Sequence, residues 1–273
     1  MSETPVLPSD ASPAPEAAAP LAIDARGLTK VFAGKPAVDR LTLQVARGRF
    51  FGFLGPNGAG KSTTIKMLTG LLRPTSGEAF IEGRSLGTDL LAIKGVIGVL
   101  PEELPHYERL TGEEYLHFAG RMYGLGKEET RKRTEELLAF LSLDDERGKL
   151  IVDYSQGMRK KTALAAALIH NPRVLFLDEP LNGIDPVSGR VVTDLLRRLA
   201  HKGVTMFFTT HVLDVVERLC DEVAIIDHGR IVAQGTLDEI RRQREVGNDA
   251  TLEDVFLKLV SADVRREDLS WID

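Results

Sequence analysis

The sequence has few of the features that cross-link a protein or anchor it in a membrane. Its 273 residues include a single cysteine, Cys220, so no disulfide can form within the chain, which suits a reducing cytosol. No apolar run approaches the ~20 residues needed to cross a bilayer, and the N-terminus lacks a charged-then-apolar signal pattern. We therefore expect that, if the protein serves a membrane, it docks there on another chain. Cys220 itself is most simply explained as a small buried apolar residue.

The sequence also has no excess of basic over acidic residues. The formal net charge is −5 and the isoelectric point is about 5.8, whereas proteins that hold nucleic acid by its phosphates usually present a basic face. Nucleic acid is therefore not an expected partner. The composition, 43% hydrophobic and 27% charged, is typical of a globular protein. The sequence shows no internal repeat, which argues against two tandem copies of one unit.

The pattern of residues divides the chain into three segments. Residues 1–20 are rich in Pro, Ala, Ser and Glu and bury too little apolar surface to offset the ordering entropy, so we predict disorder there. In 21–240, apolar strands alternate with helical patterns, which predicts an α/β fold with a mostly parallel core sheet. The helical pattern of about 101–168 indicates an inserted α-helical subdomain. Residues 241–273 are predicted to form a helical C-terminal extension.

The strongest local pattern is a glycine-rich loop, GPNGAGKS, which begins at Gly55 and ends at Ser62. It matches G-x-x-x-x-G-K-[ST] and lies between an apolar strand and a helix, the required context for a phosphate-binding loop. The glycines let successive backbone N–H groups point into one concavity, and the next helix N-terminus adds partial positive charge. Lys61 is predicted to reach the outer phosphates, and the Ser62 hydroxyl to bind Mg²⁺. The alternative is a glycine-rich turn beside a surface lysine.

A second pattern places two carboxylates directly after a buried strand. Four apolar residues, 174–177, precede Asp178 and Glu179 at the edge where ligands bind in open α/β sheets. Asp178 is predicted to hold Mg²⁺, directly or through water, and Glu179 to polarise the attacking water as general base. Because a strand that ends in solvated acids would look the same, this interpretation depends on the glycine-rich loop. Together the two patterns predict a P-loop NTPase.

Further segments stand in a characteristic order around these two patterns. They are Phe32, the pair Pro101-Glu102, the segment YSQGM at Tyr154–Met158 before an Ala-rich helix, the segment NGID at 182–185, and His211 after a strand. In this order they resemble the ATP-binding subunits of ABC transporters, in the drug- and lipid-exporter-like variant. The resemblance spans 21 to about 235 and implies an antiparallel N-terminal β part beside the parallel core. It assigns Phe32 to stacking on adenine and Tyr154–Met158 to the family's signature segment.

The resemblance implies an ATPase that works as a head-to-tail dimer with a second copy of itself or a paralogous subunit. Ser155 and Gly157 of one chain would grip the γ-phosphate of ATP bound to the partner's phosphate loop. Asp185 would lie at the dimer seam, and His211 would contact the γ-phosphate and help to hold the attacking water. ATP binding would close the dimer and hydrolysis would reopen it, driving a separate multi-helix transmembrane permease from the cytoplasmic face of the membrane. The permease is expected to dock around 102–107 and the helical insert.

These interpretations give three sets of candidate site residues. The predicted catalytic residues are Glu179, His211 and Lys61. The residues predicted to bind ATP are Phe32, Gly55, Pro56, Asn57, Gly58, Ala59, Gly60, Lys61, Ser62, Thr63, Ser155, Gln156, Gly157 and Asp185. The residues predicted to bind Mg²⁺ are Ser62, Glu102 and Asp178.

The chain departs from the family pattern at Glu102, where the family's Q-loop normally has glutamine. A glutamate can bind Mg²⁺ as a charged ligand, but it repels the γ-phosphate unless the metal or a proton intervenes. Glu102 could instead be an exposed loop acid. Phe32 could likewise be a core aromatic residue, and His211 a structural histidine.

Two further questions stay open in the sequence. Leu252, Val255, Phe256 and Leu259 follow helical spacing, which predicts an amphipathic helix that either caps its own domain or makes a dimer or regulatory contact. The function could also be that of a soluble ABC-type ATPase acting on the ribosome or chromosome, or of a nucleotide-binding regulator without turnover. The single motor unit and the negative net charge argue against the former, and the presence of a predicted general base argues against the latter.

Overall fold

The computed structural model describes residues 20–103, 107, 109–243 and 251–260. The tail predicted to be disordered therefore lies outside the described residues, except for Pro20. In chain order the elements of the described part are β1 (Leu21–Phe32), β2 (Lys35–Ala46), β3 (Phe50–Leu54), α1 (Lys61–Leu68), β4 (Ser76–Ile81), β5 (Arg84–Ser85), α2 (Leu90–Lys94), β6 (Ile97–Leu100), α3 (Gly112–Met122), α4 (Lys127–Phe140), α5 (Gln156–Leu168), β7 (Val174–Asp178), α6 (Pro186–His201), β8 (Thr205–Thr209), α7 (Leu213–Leu219), β9 (Glu222–Asp227), β10 (Arg230–Gly235), α8 (Leu237–Gln243) and α9 (Leu252–Leu259). None of these helices is long and apolar enough to cross a membrane.

The larger sheet of the described residues has six strands in the order β10-β9-β3-β8-β7-β6. Strands β9, β3, β8, β7 and β6 are parallel, and β10 is an antiparallel edge. Both faces are covered, so the inner strands are apolar throughout. In β3, for example, Phe50 and Leu54 enter one hydrophobic cluster while Phe51 and Phe53 enter the other. Helices α3, α4 and α5 pack on the first cluster, and α1 packs on the second.

The smaller sheet is antiparallel, in the order β2-β1-β4-β5, and packs with α1 on the second cluster. The predicted class, an α/β fold with a parallel core, an antiparallel N-terminal β part and inserted helices, is thus confirmed. Helix α3 of the insert begins with a capping box at Thr111. The Thr111 hydroxyl accepts the Glu114 N–H at 3.1 Å, and the Glu114 carboxylate accepts the Thr111 N–H at 2.9 Å.

Three elements were not predicted: β5, α2 and β10. Within the described residues β10 pairs with β9 at the edge of the sheet, and of its six residues Ala233 alone is buried, so its sequence lacks the apolar run that marks the central strands. The helix predicted after the glycine-rich loop is α1, which begins at Lys61 inside the motif and ends at Leu68.

The amphipathic C-terminal helix is present as α9. Leu252 and Val255 are each 1% exposed and belong to the larger hydrophobic cluster, and Phe256 and Leu259 pack against it. This burial supports the interpretation that the helix caps its own domain. Its first turn is fixed to α7, because the Leu252 N–H donates to the Glu217 carboxylate at 2.6 Å.

Candidate functional site

The candidate site forms where three neighbouring parallel strands end. Strand β3 leads into the glycine-rich loop, β7 ends at Asp178, and β8 between them ends at Thr209. The register places Phe53 and Asp178 on either side of Thr209. Because the carboxyl ends of parallel strands lie at one edge of a sheet, segments far apart in sequence meet there.

Two glycines of the loop are required by its backbone. A Cβ at Gly55 would lie 2.3 Å from the Ile226 carbonyl oxygen, and one at Gly60 would lie 2.6 Å from that of Ala37. Gly60 also has φ +110°, which L side chains rarely adopt. The loop is thus packed tightly between the two sheets and leads directly into α1. This strand–loop–helix order is the context that a phosphate-binding loop requires.

Lys61 lies in this loop as the sequence predicts. Its Nζ donates to the carbonyl oxygens of Gly55 at 2.7 Å and Pro56 at 3.1 Å. Burial lowers the pKa of Lys61 from its ordinary value, and the carboxylates of Glu179, Asp178 and Glu102 oppose that shift. The ammonium group is therefore held at the bottom of the site with acidic groups facing it.

A cavity of about 330 Å³ lies over the predicted phosphate-binding loop, and we call it the phosphate cavity. Its lining residues are Ala37, Asn57, Gly58, Gly60, Lys61, Ser62, Thr63, Glu102, Asp178 and Glu179. The three predicted Mg²⁺ ligands therefore share one cavity, and a hydroxyl with carboxylates is the hard oxygen donor set that Mg²⁺ prefers. Among the described residues no metal cage of three or more His, Cys, Asp or Glu side chains occurs. The donors thus fit Mg²⁺ whose coordination is completed by phosphate and water.

Thr209 ties the two acidic residues together. Its hydroxyl donates to Asp178 Oδ1 at 2.6 Å and accepts the Glu179 N–H at 3.1 Å. Asp178 is 4% exposed and Glu179 7%, so their carboxylates are oriented in a largely enclosed site. Glu179 has φ +49°, an uncommon conformation for a residue other than glycine that often accompanies functional sites.

His211 follows β8 and lies beside Glu179. Its Nδ1 is 3.0 Å from Glu179 Oε2, and its side chain is 60% exposed. A second cavity, of about 350 Å³, opens beside this pair. Its lining residues are Gly55, Pro56, Asn57, Glu102, Glu179, Asn182, Thr210, His211, Leu213 and Phe256. An exposed histidine bound to a buried carboxylate fits a functional group better than a structural one.

Phe32 is not a core residue. It ends β1 and is 48% exposed, with the Lys30 ammonium 5.2 Å from its ring centroid. The alternative of a core aromatic is therefore wrong. The hairpin that follows contributes Ala37 to the wall of the phosphate cavity, but Phe32 itself does not line that cavity.

The signature segment forms the start of α5 and lies outside the phosphate cavity. The Ser155 hydroxyl caps the helix by accepting the Met158 N–H at 3.2 Å. A Cβ at Gly157 would meet only ordinary contacts, the nearest being Gly183 O at 3.6 Å. The Gln156 side chain packs on Gly183, where a Cβ would approach it to 2.5 Å. The fold therefore does not require glycine at 157, although it does bring this segment against 183–184.

Asp185 has a structural task that the sequence did not reveal. Its Oδ1 accepts the N–H groups of Val187 and Ser188 at 3.0 Å each, which caps α6. These hydrogen bonds, with that of Ser188 the largest contribution, lower the pKa of Asp185 from its ordinary value. The carboxylate is thus charged and exposed at the helix N-terminus, next to the signature segment.

Two residues of the site were missed, Thr209 and Lys160. Lys160 is 3% exposed and its Nζ donates to the Glu179 carbonyl oxygen. Neither belongs to a contiguous motif. A threonine directly before Thr210-His211 at a strand end is a usable signal, but Lys160 has none, because its contact depends on how α5 packs on β7.

A parallel sheet with this strand order, a glycine loop before α1 and a buried acidic pair define a P-loop NTPase. The family model described as ABC transporter matches residues 38–182, and the chain belongs to that family. ATP binding and hydrolysis, which the sequence predicts, are properties of this family and are confirmed at that level. The role of each individual residue remains a prediction.

Known proteins similar to the chain carry the same fold. The daunorubicin/doxorubicin resistance ATP-binding protein DrrA of Streptomyces peucetius is 43% identical over 220 residues, which are 81% of this chain and 67% of that protein. The solved ATP-binding subunit of an ABC transporter is 32% identical with a TM-score of 0.82, covering 87% of this chain and 98% of that one. The dimeric structure of a bacterial ABC transporter cassette is 26% identical with a TM-score of 0.74, covering 79% and 98%.

Proposed function

We propose that the chain is the ATP-hydrolysing subunit of a membrane exporter and works as a head-to-tail dimer. A separate transmembrane subunit would select the cargo and hold this chain at the cytoplasmic face of the membrane. The name of DrrA, which links that relative to daunorubicin and doxorubicin resistance, supports export of drug-like molecules. The dimeric cassette supports pairing of two copies.

One observation carries this proposal: Ser155, Gln156 and Gly157 do not line the phosphate cavity of their own chain. Ser155 and Gln156 are exposed, and the helix that they open presents its N-terminus outward. A helix N-terminus attracts anions. A second copy related by two-fold symmetry would bring this terminus to the triphosphate on its partner's loop, and would complete both sites at once.

The residues at the loop have complementary tasks in hydrolysis. The loop N–H groups and Lys61 hold the β- and γ-phosphates, and stacking on Phe32 would hold the adenine. When bound at Ser62, Asp178 and Glu102, Mg²⁺ would neutralise phosphate charge. Glu179 accepts a proton from the attacking water, and His211, whose Nδ1 is 3.0 Å from Glu179 Oε2, keeps the Glu179 carboxylate oriented beside the γ-phosphate.

The head-to-tail arrangement is tested by mixing two defective chains. Lys61→Ala removes the phosphate contact of a chain, and Ser155→Arg blocks the surface that it offers to its partner. Each variant alone is expected to be inactive. A mixture forms hybrids with one intact composite site, so ATP hydrolysis should recover to at most about a quarter of the wild-type rate.

The matched control mixes Lys61→Ala with the double variant Lys61→Ala/Ser155→Arg, which leaves no intact site and should stay inactive. Phosphate release measures both mixtures. Recovery in the control, or a Ser155→Arg chain that hydrolyses ATP alone, would show that the signature segment does not act across a dimer.

A groove on the helical insert offers a docking site for the proposed transmembrane subunit. It has a volume of about 730 Å³ and lies between α3, α5 and the segment around 91–101. Tyr107 stacks on Tyr115 with ring centroids 4.7 Å apart, and Phe118 and Met122 are 44% and 71% exposed. Exposed aromatic and aliphatic side chains gathered in one groove mark a candidate site of protein interaction. His106, the other predicted contact, lies outside the described residues.

Tyr107→Ala is expected to uncouple the two subunits. In membranes that contain the transmembrane partner, cargo export should fall by about tenfold or more, because aromatic anchors dominate such interfaces. Hydrolysis by the isolated chain should stay at the wild-type level. Leu71→Ala, at a site 63% exposed outside the groove, serves as the control and should export normally. Loss of ATP binding in Tyr107→Ala would contradict the assignment of the groove.

A further inference from the structure

Lys160 is a buried cation that none of the recognised motifs explains. It lies in the second turn of α5 and is 3% exposed. A lysine is seldom buried to this extent without a partner, because removing its charge from water is costly. Its Nζ donates to the main-chain oxygen of Glu179. Burial lowers the pKa of Lys160, and the carboxylates of Glu179, Glu102 and Asp178 oppose that shift, so the ammonium faces the acidic side of the site.

The residue that Lys160 contacts is held in an unusual backbone conformation. Glu179 has φ +49°, and such a conformation persists only where the surroundings fix it. Its N–H donates to Thr209, at 3.1 Å to the hydroxyl and 3.2 Å to the carbonyl oxygen. Its carbonyl oxygen accepts from Lys160. The two polar groups of this peptide backbone are therefore clamped from opposite elements, β8 and α5, and the clamps determine where the carboxylate points.

The same helix begins at the signature segment. Ser155 caps α5 and Gly157 lies in its first turn. From Ser155 to Lys160 the helix rises only about 7 to 8 Å. Lys160 therefore lies about one and a half turns after the start of α5. If contact with a partner's triphosphate displaced the start of this rigid helix, Lys160 would move with it.

We propose that Lys160 is a positioning residue that couples the two sites of the dimer, by making the orientation of Glu179 depend on what the signature segment of the same chain contacts. A chain whose signature segment grips the partner's ATP then has its own general base set for attack, so the one intact site of the hybrid described above, which lies on the Ser155→Arg chain, should work below the quarter-rate limit. The coupling rests on the proposed head-to-tail dimer, whereas the positioning of Glu179 by Lys160 within one chain does not.

Neighbouring Lys161 provides a matched control. It is 7% exposed on the same helix, but its Nζ donates to the Leu141 carbonyl oxygen of the helical insert at 2.8 Å. Replacing either lysine by methionine removes one buried ammonium and one hydrogen bond. Only the change at 160 alters the clamp on Glu179.

The experiment measures steady-state ATP hydrolysis by Lys160→Met, Lys160→Arg and Lys161→Met. Lys160→Met is expected to lower kcat by about 100-fold, since misplacing a catalytic group by about 1 Å has that effect, while KM changes by less than about twofold. The Hill coefficient for ATP should fall towards one. Lys160→Arg, which keeps a donor, should recover most of kcat and the cooperativity. Lys161→Met should keep the Hill coefficient of the wild type.

Wild-type kcat and cooperativity in Lys160→Met would overturn the proposal. So would equal losses in both methionine variants together with equal losses in melting temperature, because these would show a structural role alone. Light scattering of Glu179→Gln with ATP, with and without Lys160→Met, separates the two hypotheses. A Glu179→Gln chain that stays monomeric removes the dimer and with it the coupling. A Glu179→Gln chain that dimerises with ATP, together with a wild-type kcat in Lys160→Met, removes the role of Lys160 and leaves the dimer standing.

Discussion

The acidic pair at the end of β7 is organised by a hydroxyl group from the next strand. Thr209 donates to Asp178 at 2.6 Å and accepts from the Glu179 N–H at 3.1 Å. Asp178 is 4% exposed, so losing this donor would leave its buried carboxylate without one of its partners. Hydrogen bonds to charged groups contribute more than neutral ones.

Thr209→Val is expected to lower the free energy of unfolding by about 1.5–3 kcal/mol, because it replaces this donor with a methyl group of similar shape. Hydrolysis should fall by about tenfold or more through the loosened Asp178 and Glu179. Urea denaturation and phosphate release measure the two effects. Thr209→Ser keeps the hydroxyl and should retain most of the activity. A valine variant with the wild-type rate would remove Thr209 from the site.

The residues that the sequence identified are those whose chemistry lies in one contiguous pattern. The loop from Gly55 to Ser62 folds on itself, so spacing alone predicts its geometry. The partners of Glu179 are different. Thr209 reaches it through the register of β7 with β8, and Lys160 through the packing of α5. Neither relation is encoded in local spacing, which is why both residues were missed.

Among the elements, the first turn of α5 contains a glycine, Gly157, that the fold of the chain does not require. Gly157 is in a helical position where a Cβ would meet its nearest neighbour at 3.6 Å, so alanine fits. Alanine also forms helices better than glycine by up to about 1 kcal/mol. The proposed dimer explains a glycine here by the close approach of the partner's ATP.

Gly157→Ala is expected to keep or raise the melting temperature while weakening ATP-dependent dimerisation of Glu179→Gln by about tenfold to 100-fold, since an added methyl would press on the partner's triphosphate. Light scattering and thermal unfolding measure the two effects. Gly183→Ala is the contrast, because φ +75° and the nearby Gln156 side chain should destabilise the monomer by about 1 kcal/mol or more. Unweakened dimerisation in Gly157→Ala would place the partner elsewhere.

Element prediction succeeded where burial on both faces produces long apolar runs. Strands β3, β7 and β8 are buried at every residue, and the apolar run 174–177 that predicts a strand lies in β7. Prediction failed for β5 and α2, which are short, and for β10, an edge strand with Ala233 as its one buried residue. The fold class followed from the alternation of strong elements, so these omissions did not affect it.

For the molecule as a whole, the C-terminal helix is part of the core rather than an appendage. Leu252→Ala is expected to lower the free energy of unfolding by about 2–5 kcal/mol, the usual cost of truncating a buried leucine, because Leu252 is 1% exposed. Leu257→Ala on the same helix, at a site 59% exposed, should change stability by less than about 0.5 kcal/mol. Urea denaturation measures the free energy of unfolding of both variants. Equal values would indicate that α9 is a docking element rather than part of the core.

Because of Phe256, helix α9 affects how selectively a small molecule can bind this site. The Phe256 ring lines the cavity that also holds Glu179 and His211. The phosphate loop is common to P-loop ATPases, so an inhibitor that contacts only the loop has little basis for discrimination. A compound that bridges the loop and the Phe256 ring would favour this chain over ATPases whose C-terminal segment does not return to the same wall.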